Sequence, residues 1–410
     1  MVEVHDAKVL VVQHGGRRQY AIPAALARRG RLEAFYTDMC IGRGPGRLLT
    51  PLKKVSRSVR QMDLSVRTPP PEVLQKTHVF TSWFLEMKRA LDRSESDPER
   101  VRRIFFAHKN ASKKMARRGF GAATHLLVQL GEGIDLQVAA KKKGLTTVTD
   151  VNIAPSVERI VRQEKLSNPH WDTSYMESPQ PLTNFNLHSV MESVVGATDI
   201  FLCPSHFVRD DLVHNFGVDP VKIRLLPYAV NPKWLSITPN PVKGRVFFAG
   251  KADLRKGIHT LSAAADILNK RGRAYDFFVA GSASEAVQKN TIPPNVRYLG
   301  RKNTTEMRKL FSEADVFAFP SLVEGSAGVT YEAIGAGVPV VTTFESGSVI
   351  RDGVEGRLIE SRSPTALANA IEEIIEDREK RRRMSEAARL LAQSMDWKMF
   401  EERLFQCLFS

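Results

Sequence analysis

The sequence predicts an α/β chain built as two doubly wound domains in tandem. Three observations predict it. At 410 residues the chain exceeds the size at which a single hydrophobic core stops growing, so two cores are expected. Short apolar runs recur along it, each followed by a stretch with helical spacing, as right-handed βα units require. Glycine or a charged residue stands directly after several of these runs, at the carboxyl ends of the predicted strands, where ligands bind in parallel sheets.

Residues 8–13 read as the first strand, ending in His14-Gly15-Gly16, and 17–29 as its helix, with Tyr20, Ile22, Ala25 and Leu26 at helical spacing. From 41 to about 120 the alternation gives way to basic sequence with helix-like pieces at 80–91 and 101–118, read as an exposed helical insertion. Strand-like runs return at 125–130, 146–151, 200–204 and 223–226, which places the first domain at 1–228. Asn231-Pro232 and Thr238-Pro239-Asn240-Pro241 mark a linker at 229–243, because proline there supports neither helix nor ladder. The second domain, 244–395, carries apolar runs at 245–249, 275–280, 296–299, 316–319 and 338–342. Residues 396–410 read as a last amphipathic helix starting at Trp397.

The net charge of +15 is unevenly spread. Arg43, Arg47, Lys53, Lys54, Arg57 and Arg60 form one basic stretch; Arg102, Arg103, Lys109, Lys113, Lys114, Arg117 and Arg118 form another, interleaved with Phe105, Phe106 and followed by Phe120. Two readings stand: a solvated helix face, or a basic face with apolar anchors resting on an anionic bilayer. Nucleic acid is not expected as a partner, since neither zinc-finger spacing nor an RNP-type signature is present. Cys40, Cys203 and Cys407 are too dispersed for a disulfide framework or a metal site. The start carries Glu3 and Asp6, no basic n-region and only a short apolar run, so neither a signal peptide nor a membrane span is expected, and the cytoplasm is the expected location. Cys407-Leu408-Phe409-Ser410 has the form of a prenylation box but closes the amphipathic segment and is read as packed.

The segment FAFPSLVEGSAGVTYEAIGAGVPVVTT, 317–343, carries the densest chemistry. Glu324 falls in a loop after an apolar strand, and Glu332, seven residues intervening, falls inside the following helix. Gly325, Ser326, Ala327 and Gly328 leave amides uncovered at the helix start, which attracts an anion such as a diphosphate. A loop carboxylate then suits sugar hydroxyls and the helical one a ribose; the plainer alternative is a capped helix with two solvated glutamates. Gly250-Lys251 through Lys256-Gly257 forms a second candidate, with Arg255 beside it and Gly281 ending a neighbouring run; here surface lysines are the plainer alternative.

Together, Gly250-Lys251 with Lys256-Gly257, Val279-Ala280-Gly281, Glu324 and Glu332 with Gly335-x-Gly337-x-Pro339, and Asp352-Gly353-x-Glu355-Gly356 resemble the retaining, family-four type of GT-B glycosyltransferases. Cys203-Pro204-Ser205-His206-Phe207-Val208-Arg209 and Leu226-Pro227-Tyr228-Ala229-Val230 resemble the end of that family's first domain. The resemblance is dense from about 198 to 360. It implies that Glu324 contacts the donor sugar, that Glu332 holds the ribose, and that the amides of Gly328, Val329 and Thr330 bind the diphosphate. By the same resemblance Lys256 neutralises the leaving diphosphate, and Lys251 stands where the family usually has arginine, keeping charge but losing the bidentate fork. Gly15 and Gly16 match a glycine turn that admits donor or acceptor, and the C-terminal helix is expected to cross back to the first domain. Arg301 and Lys302, after Gly300, are expected near the base.

One departure stands out. Many relatives place a histidine after the strand that here ends in Thr149-Asp150-Val151-Asn152, and none is present. Asp150 or Asn152 substitutes, or His14 approaches from the neighbouring strand; alternatively Asp150 caps the helix near Pro155. The resemblance implies transfer of a sugar from a nucleoside diphosphate to a carbohydrate or lipid-linked acceptor with retention, in polysaccharide, lipopolysaccharide or glycolipid assembly. No Asp-x-Asp pair occurs, so no metal is expected, and the nucleotide-sugar is substrate rather than cofactor. A GT-B sugar-nucleotide epimerase and an inactive binding or scaffold protein are the alternatives.

Overall fold

In the computed structural model, residues 6–48, 67–92, 97–172 and 187–410 are described. The first sheet has seven strands: β1 (Val9–Val12), β2 (Leu32–Thr37), β3 (Thr77–Val79), β4 (His125–Gln129), β5 (Thr146–Asp150), β6 (Ile200–Cys203) and β7 (Ile223–Leu225), in the order β3-β2-β1-β4-β5-β6-β7. The second has six: β8 (Arg245–Ala249), β9 (Asp276–Ala280), β10 (Val296–Gly300), β11 (Val316–Phe319), β12 (Val340–Thr343) and β13 (Gly356–Ile359), ordered β10-β9-β8-β11-β12-β13. Every pairing is parallel. Central strands such as VLVV and VFAF are buried on both faces, which explains their unbroken apolar runs. The winding reverses between β1 and β4 and again between β8 and β11, and each reversal opens a crevice at the carboxyl ends.

The helices that matter for the site are α1 (Ala21–Arg28), α2 (Thr81–Asp92), α3 (Asp97–Arg118), α4 (Val157–Ser167), α5 (Ile258–Lys270), α6 (Gly328–Gly335) and α7 (Trp397–Phe409). The last crosses back to the first domain: Phe400, Leu404, Cys407 and Leu408 are buried with Val9, Val11, Ile22 and Leu26. Each such Leu or Phe contributes roughly 1.5–3 kcal/mol of burial, enough to fix the crossing. The Cys407 thiol packs within this core, its Sγ 3.7 Å from the Leu225 carbonyl. No described helix is long and apolar enough to cross a membrane.

Three features differ from the sequence reading. The 41–120 region supplies β3 to the sheet edge, and Ala107, Ala111 and Met115 of α3 are buried with Trp83 and Met87 of α2, so the inner face of this helical pair is core. The 17–29 helix begins only at Ala21, because Arg18, Gln19 and Tyr20 adopt left-handed backbone (φ 48, 54 and 61°). Asp150 caps no helix: α4 begins after Ser156, whose amide donates to Asp211 Oδ2 at 2.9 Å. The basic residues Lys53, Lys54, Arg57 and Arg60, and Glu3, lie outside the described residues.

Candidate active site

The second-domain crevice is built by two turns brought into contact. After β8, Asp253 caps a short turn by accepting from the Lys256 amide at 3.1 Å, which points Arg255 and Lys256 along the same edge. Gly257 (φ 73°) ends that turn; a Cβ there would stand 1.9 Å from the Pro320 carbonyl oxygen, so only glycine lets the turn lie on the end of β11. Gly281 (φ 138°) does the same against Gly250, where a Cβ would meet the Gly250 carbonyl oxygen at 1.8 Å. The Arg255 carbonyl then accepts from the Leu322 amide at 2.8 Å, locking the two turns together.

This contact brings the charges to one atom. Glu324 Oε1 accepts from Arg255 Nη1 at 2.8 Å and from Lys256 Nζ, and lies 3.0 Å from Ser321 Oγ. Burial lowers the Lys256 ammonium below the ordinary lysine range, and neighbouring Arg255 lowers it further, while Glu324 opposes both. Lys256 also stands 5.0 Å from the Phe319 ring centre. Lys251 does not join the cluster: its side chain is 71% exposed and its Nζ lies 3.5 Å from Asp253. Arg255, expected with Lys251 and Lys256 to offer charge to an anion at this helix start, takes the inward position that Lys251 does not.

Behind Glu324 the chain enters α6. Ser326 Oγ donates to the Gly347 carbonyl at 2.6 Å and Thr330 Oγ1 to the Ala327 carbonyl at 2.7 Å, so both hydroxyls are occupied inside the protein. The Ala327 amide donates to the Ser346 carbonyl. No described group accepts from the Gly328 or Val329 amides, and Gly328 has open space where a side chain would be. Glu332, one turn on, lines a cleft with Gly328, Lys233, Tyr228 and Arg18, and burial pushes its carboxyl up to about 7, with Lys233 partly opposing. Arg301 is exposed after β10.

In the first domain His14 turns toward Asp38, not Asp150, with Nε2 3.0 Å from Asp38 Oδ2. Asp38 also accepts from the Gly15 amide at 2.9 Å and from Arg67, whose guanidinium covers Gly15. Burial would raise the Asp38 carboxyl, but the bonds and charges of His14 and Arg67 outweigh it and hold it well below the usual range. Gly16 follows this covered turn. Asp150 instead pairs with Arg18 at 3.0 Å. Arg18, Gln19 and Tyr20 are strained, at a cost of order 1–3 kcal/mol each, and the packing of Tyr20 on Phe35 with ring centres 5.8 Å apart helps hold them.

The two domains meet around Glu324. Ser205 Oγ donates to the Gly325 carbonyl at 2.6 Å, and a Cβ on Gly325 would stand 2.0 Å from the Asn152 carbonyl oxygen. Further along the seam, Glu164 of α4 accepts from His259 Nε2 of α5 at 2.8 Å and from Arg362 Nε at 2.6 Å.

Two parallel sheets whose reversal points face one cleft, with a C-terminal helix crossing back, define the GT-B architecture. Residues 236–391 match the family model described as glycosyl transferases group 1. The chain is 25% identical over 223 residues to glycogen synthase of Mycobacterium tuberculosis, covering 52% of this chain and 54% of that protein. It is 30% identical over 212 residues to D-inositol 3-phosphate glycosyltransferase of Paenarthrobacter aurescens, covering 46% and 52%. The chain thus spans about half the length of the curated relatives it matches. Among solved structures, Anabaena Alr3699/HepE in complex with UDP and glucose shares the fold at TM-score 0.61 and 14% identity, over 98% of this chain and 100% of that one. WaaG, a glycosyltransferase involved in lipopolysaccharide biosynthesis, does so at TM-score 0.60 and 17% identity, over 97% and 98%.

Proposed function

We propose that this chain moves a hexose from a nucleoside diphosphate sugar to an acceptor hydroxyl, with retention and without a metal, in polysaccharide, lipopolysaccharide or glycolipid assembly. The observation that carries it is the convergence of Arg255, Lys256 and Glu324 beside the open Gly328 and Val329 amides at the second-domain reversal point. The bond between the anomeric carbon and the diphosphate oxygen breaks, and its electron pair leaves with the diphosphate. Lys256, Arg255 and the α6 amides are preorganised for that developing charge. The acceptor oxygen attacks from the face the diphosphate leaves, and its proton passes to a departing phosphate oxygen. Glu324 orients the sugar hydroxyls, and Glu332 takes the ribose.

The UDP and glucose in the HepE structure favour a uridine nucleotide as the first donor to test. Incubation with UDP-, GDP- and ADP-hexoses in chelator, with candidate acceptors, tests the reading. Diphosphate release with a product of unchanged anomeric configuration is expected; conversion of the sugar nucleotide without release would instead establish an epimerase. The same reading sets the outer face of α2 and α3 against an anionic bilayer. There Leu85 and Phe106 are 47% and 46% exposed, and Arg102, Lys109, Lys113 and Arg117 are exposed as well.

A further inference from the structure

We propose that Arg18 is a phosphate-binding residue, reaching from the first domain into the cleft to hold an oxygen of the donor diphosphate opposite the Gly328 amide. This rests on the nucleotide-sugar reading of that cleft and adds a residue from the other domain to it. Arg18 lines the same cleft as Gly328, Glu332 and Lys233.

The side chain is fixed from two sides. Asp150 Oδ1 accepts from Nη2 at 3.0 Å, and the guanidinium carbon lies 4.4 Å from the centre of the Tyr228 ring. Asp150 is itself almost fully buried, so it cannot swing away. The other end of the fork is left open: Nη1 is buried and has no hydrogen-bond partner among the described residues. A buried donor in this state is costly unless a ligand completes it.

The chemistry of the open groups selects the ligand. Arg18 Nη1 and the Gly328 and Val329 amides are all donors, so their complement is a group rich in acceptors and carrying negative charge. A phosphate meets this, and the planar guanidinium fork matches its oxygens. A neutral sugar hydroxyl could accept from one of these donors, but it brings no negative charge to match the guanidinium. The left-handed backbone at Arg18, Gln19 and Tyr20 has a use on this account, because it directs a long side chain from the end of β1 into the cleft.

Two sources of phosphate are distinguishable: the donor diphosphate, which the nearby α6 amides favour, and a phosphate on the acceptor. Calorimetric titrations of the full chain with UDP, UMP and inorganic pyrophosphate, for the wild type, Arg18→Met and Arg18→Lys, decide between them. Arg18→Met is expected to weaken UDP and pyrophosphate on the order of 10- to 100-fold while UMP changes by less than about threefold, with Arg18→Lys recovering part. Should Arg18→Met fail to fold, the UDP-to-UMP difference in Arg18→Lys answers the same question. If UDP and pyrophosphate are unchanged but glucose 6-phosphate binding to the UDP-saturated protein is lost, the phosphate belongs to the acceptor and the donor assignment falls. If nothing changes, Arg18 only braces Asp150 and the proposal is overturned. Arg18-dependent pyrophosphate binding in a protein that ignores UDP would sink the nucleotide reading alone; a wild type that binds neither sinks both.

Discussion

Arg255 Nη1 stands 2.8 Å from Glu324 Oε1, across 69 residues of chain. One carboxylate oxygen thereby collects Arg255 and Lys256 from the turn after β8 and Ser321 from its own loop. The acid proposed to face the sugar and the cations proposed to face the phosphate are one unit, so a change to either is felt by both.

Glu324→Gln keeps the shape and removes the charge. Transfer is expected to fall by roughly 100- to 1,000-fold, the usual scale for loss of one preorganised electrostatic contact. Affinity for the nucleoside diphosphate is expected to stay within a few-fold, since the cations remain. Paired kcat and calorimetric Kd values check this; full activity would remove Glu324 from the sugar.

Lys256→Met and Lys251→Ala separate the two lysines. The first deletes a buried cation beside Glu324 and is expected to lower kcat by about 100-fold or more. The second removes a side chain that is 71% exposed, and little change is expected. Equal losses in the two variants would show that Lys251 swings inward when donor binds.

Glu332 sets a pH dependence. Burial raises its carboxyl from 4.5 to about 7, so the folded protein holds a proton that the unfolded chain has released between those values. Stability therefore declines as pH rises from about 4.5 to 7, and Glu332→Gln is expected to melt higher than the wild type at pH 8. A ribose bound through its hydroxyls needs the ionised form, so nucleotide affinity is expected to increase up to about pH 7 and then level off. Glu332→Gln should abolish that slope.

Glu164 clasps the domains through His259 and Arg362. Burial opposes its ionisation, but those two partners outweigh burial and lower its pKa, so its contribution is present above the ordinary glutamate range and lost as pH falls below it. Glu164→Gln is expected to cost about 1–3 kcal/mol in the melt and to enlarge the radius of gyration in small-angle scattering. An unchanged radius with lowered stability would confine Glu164 to a packing role.

Sedimentation with vesicles tests the basic face of α3. Binding to phosphatidylglycerol vesicles and its loss in Phe106→Ser with Lys109→Glu are expected, with no binding to neutral vesicles.

Most strands were legible, the clearest being buried apolar runs of four or five residues such as β1, β8 and β11. β2, β3 and β13 were not: Leu32–Thr37 is interrupted by Glu33, Thr77–Val79 has three residues, and Gly356–Ile359 is only partly buried at the sheet edge. Glu324, Glu332 and Lys256 could be read because their motifs are local. The inward role of Arg255 could not, because it depends on Gly257 meeting Pro320, a contact between distant segments. Asp38 was missed with β2, the strand that carries it toward His14. Arg18 left no trace, since left-handed backbone at residues other than glycine has no compositional signature.

A nucleoside diphosphate is expected to bind at Lys256, Glu324 and the start of α6. Calorimetric titration of the protein in EDTA with UDP, GDP and ADP, repeated on Lys256→Met, decides this. Selective binding of one of them, weakened at least tenfold in the variant, is the predicted result. Binding of none of them, with or without added Mg²⁺, would contradict it.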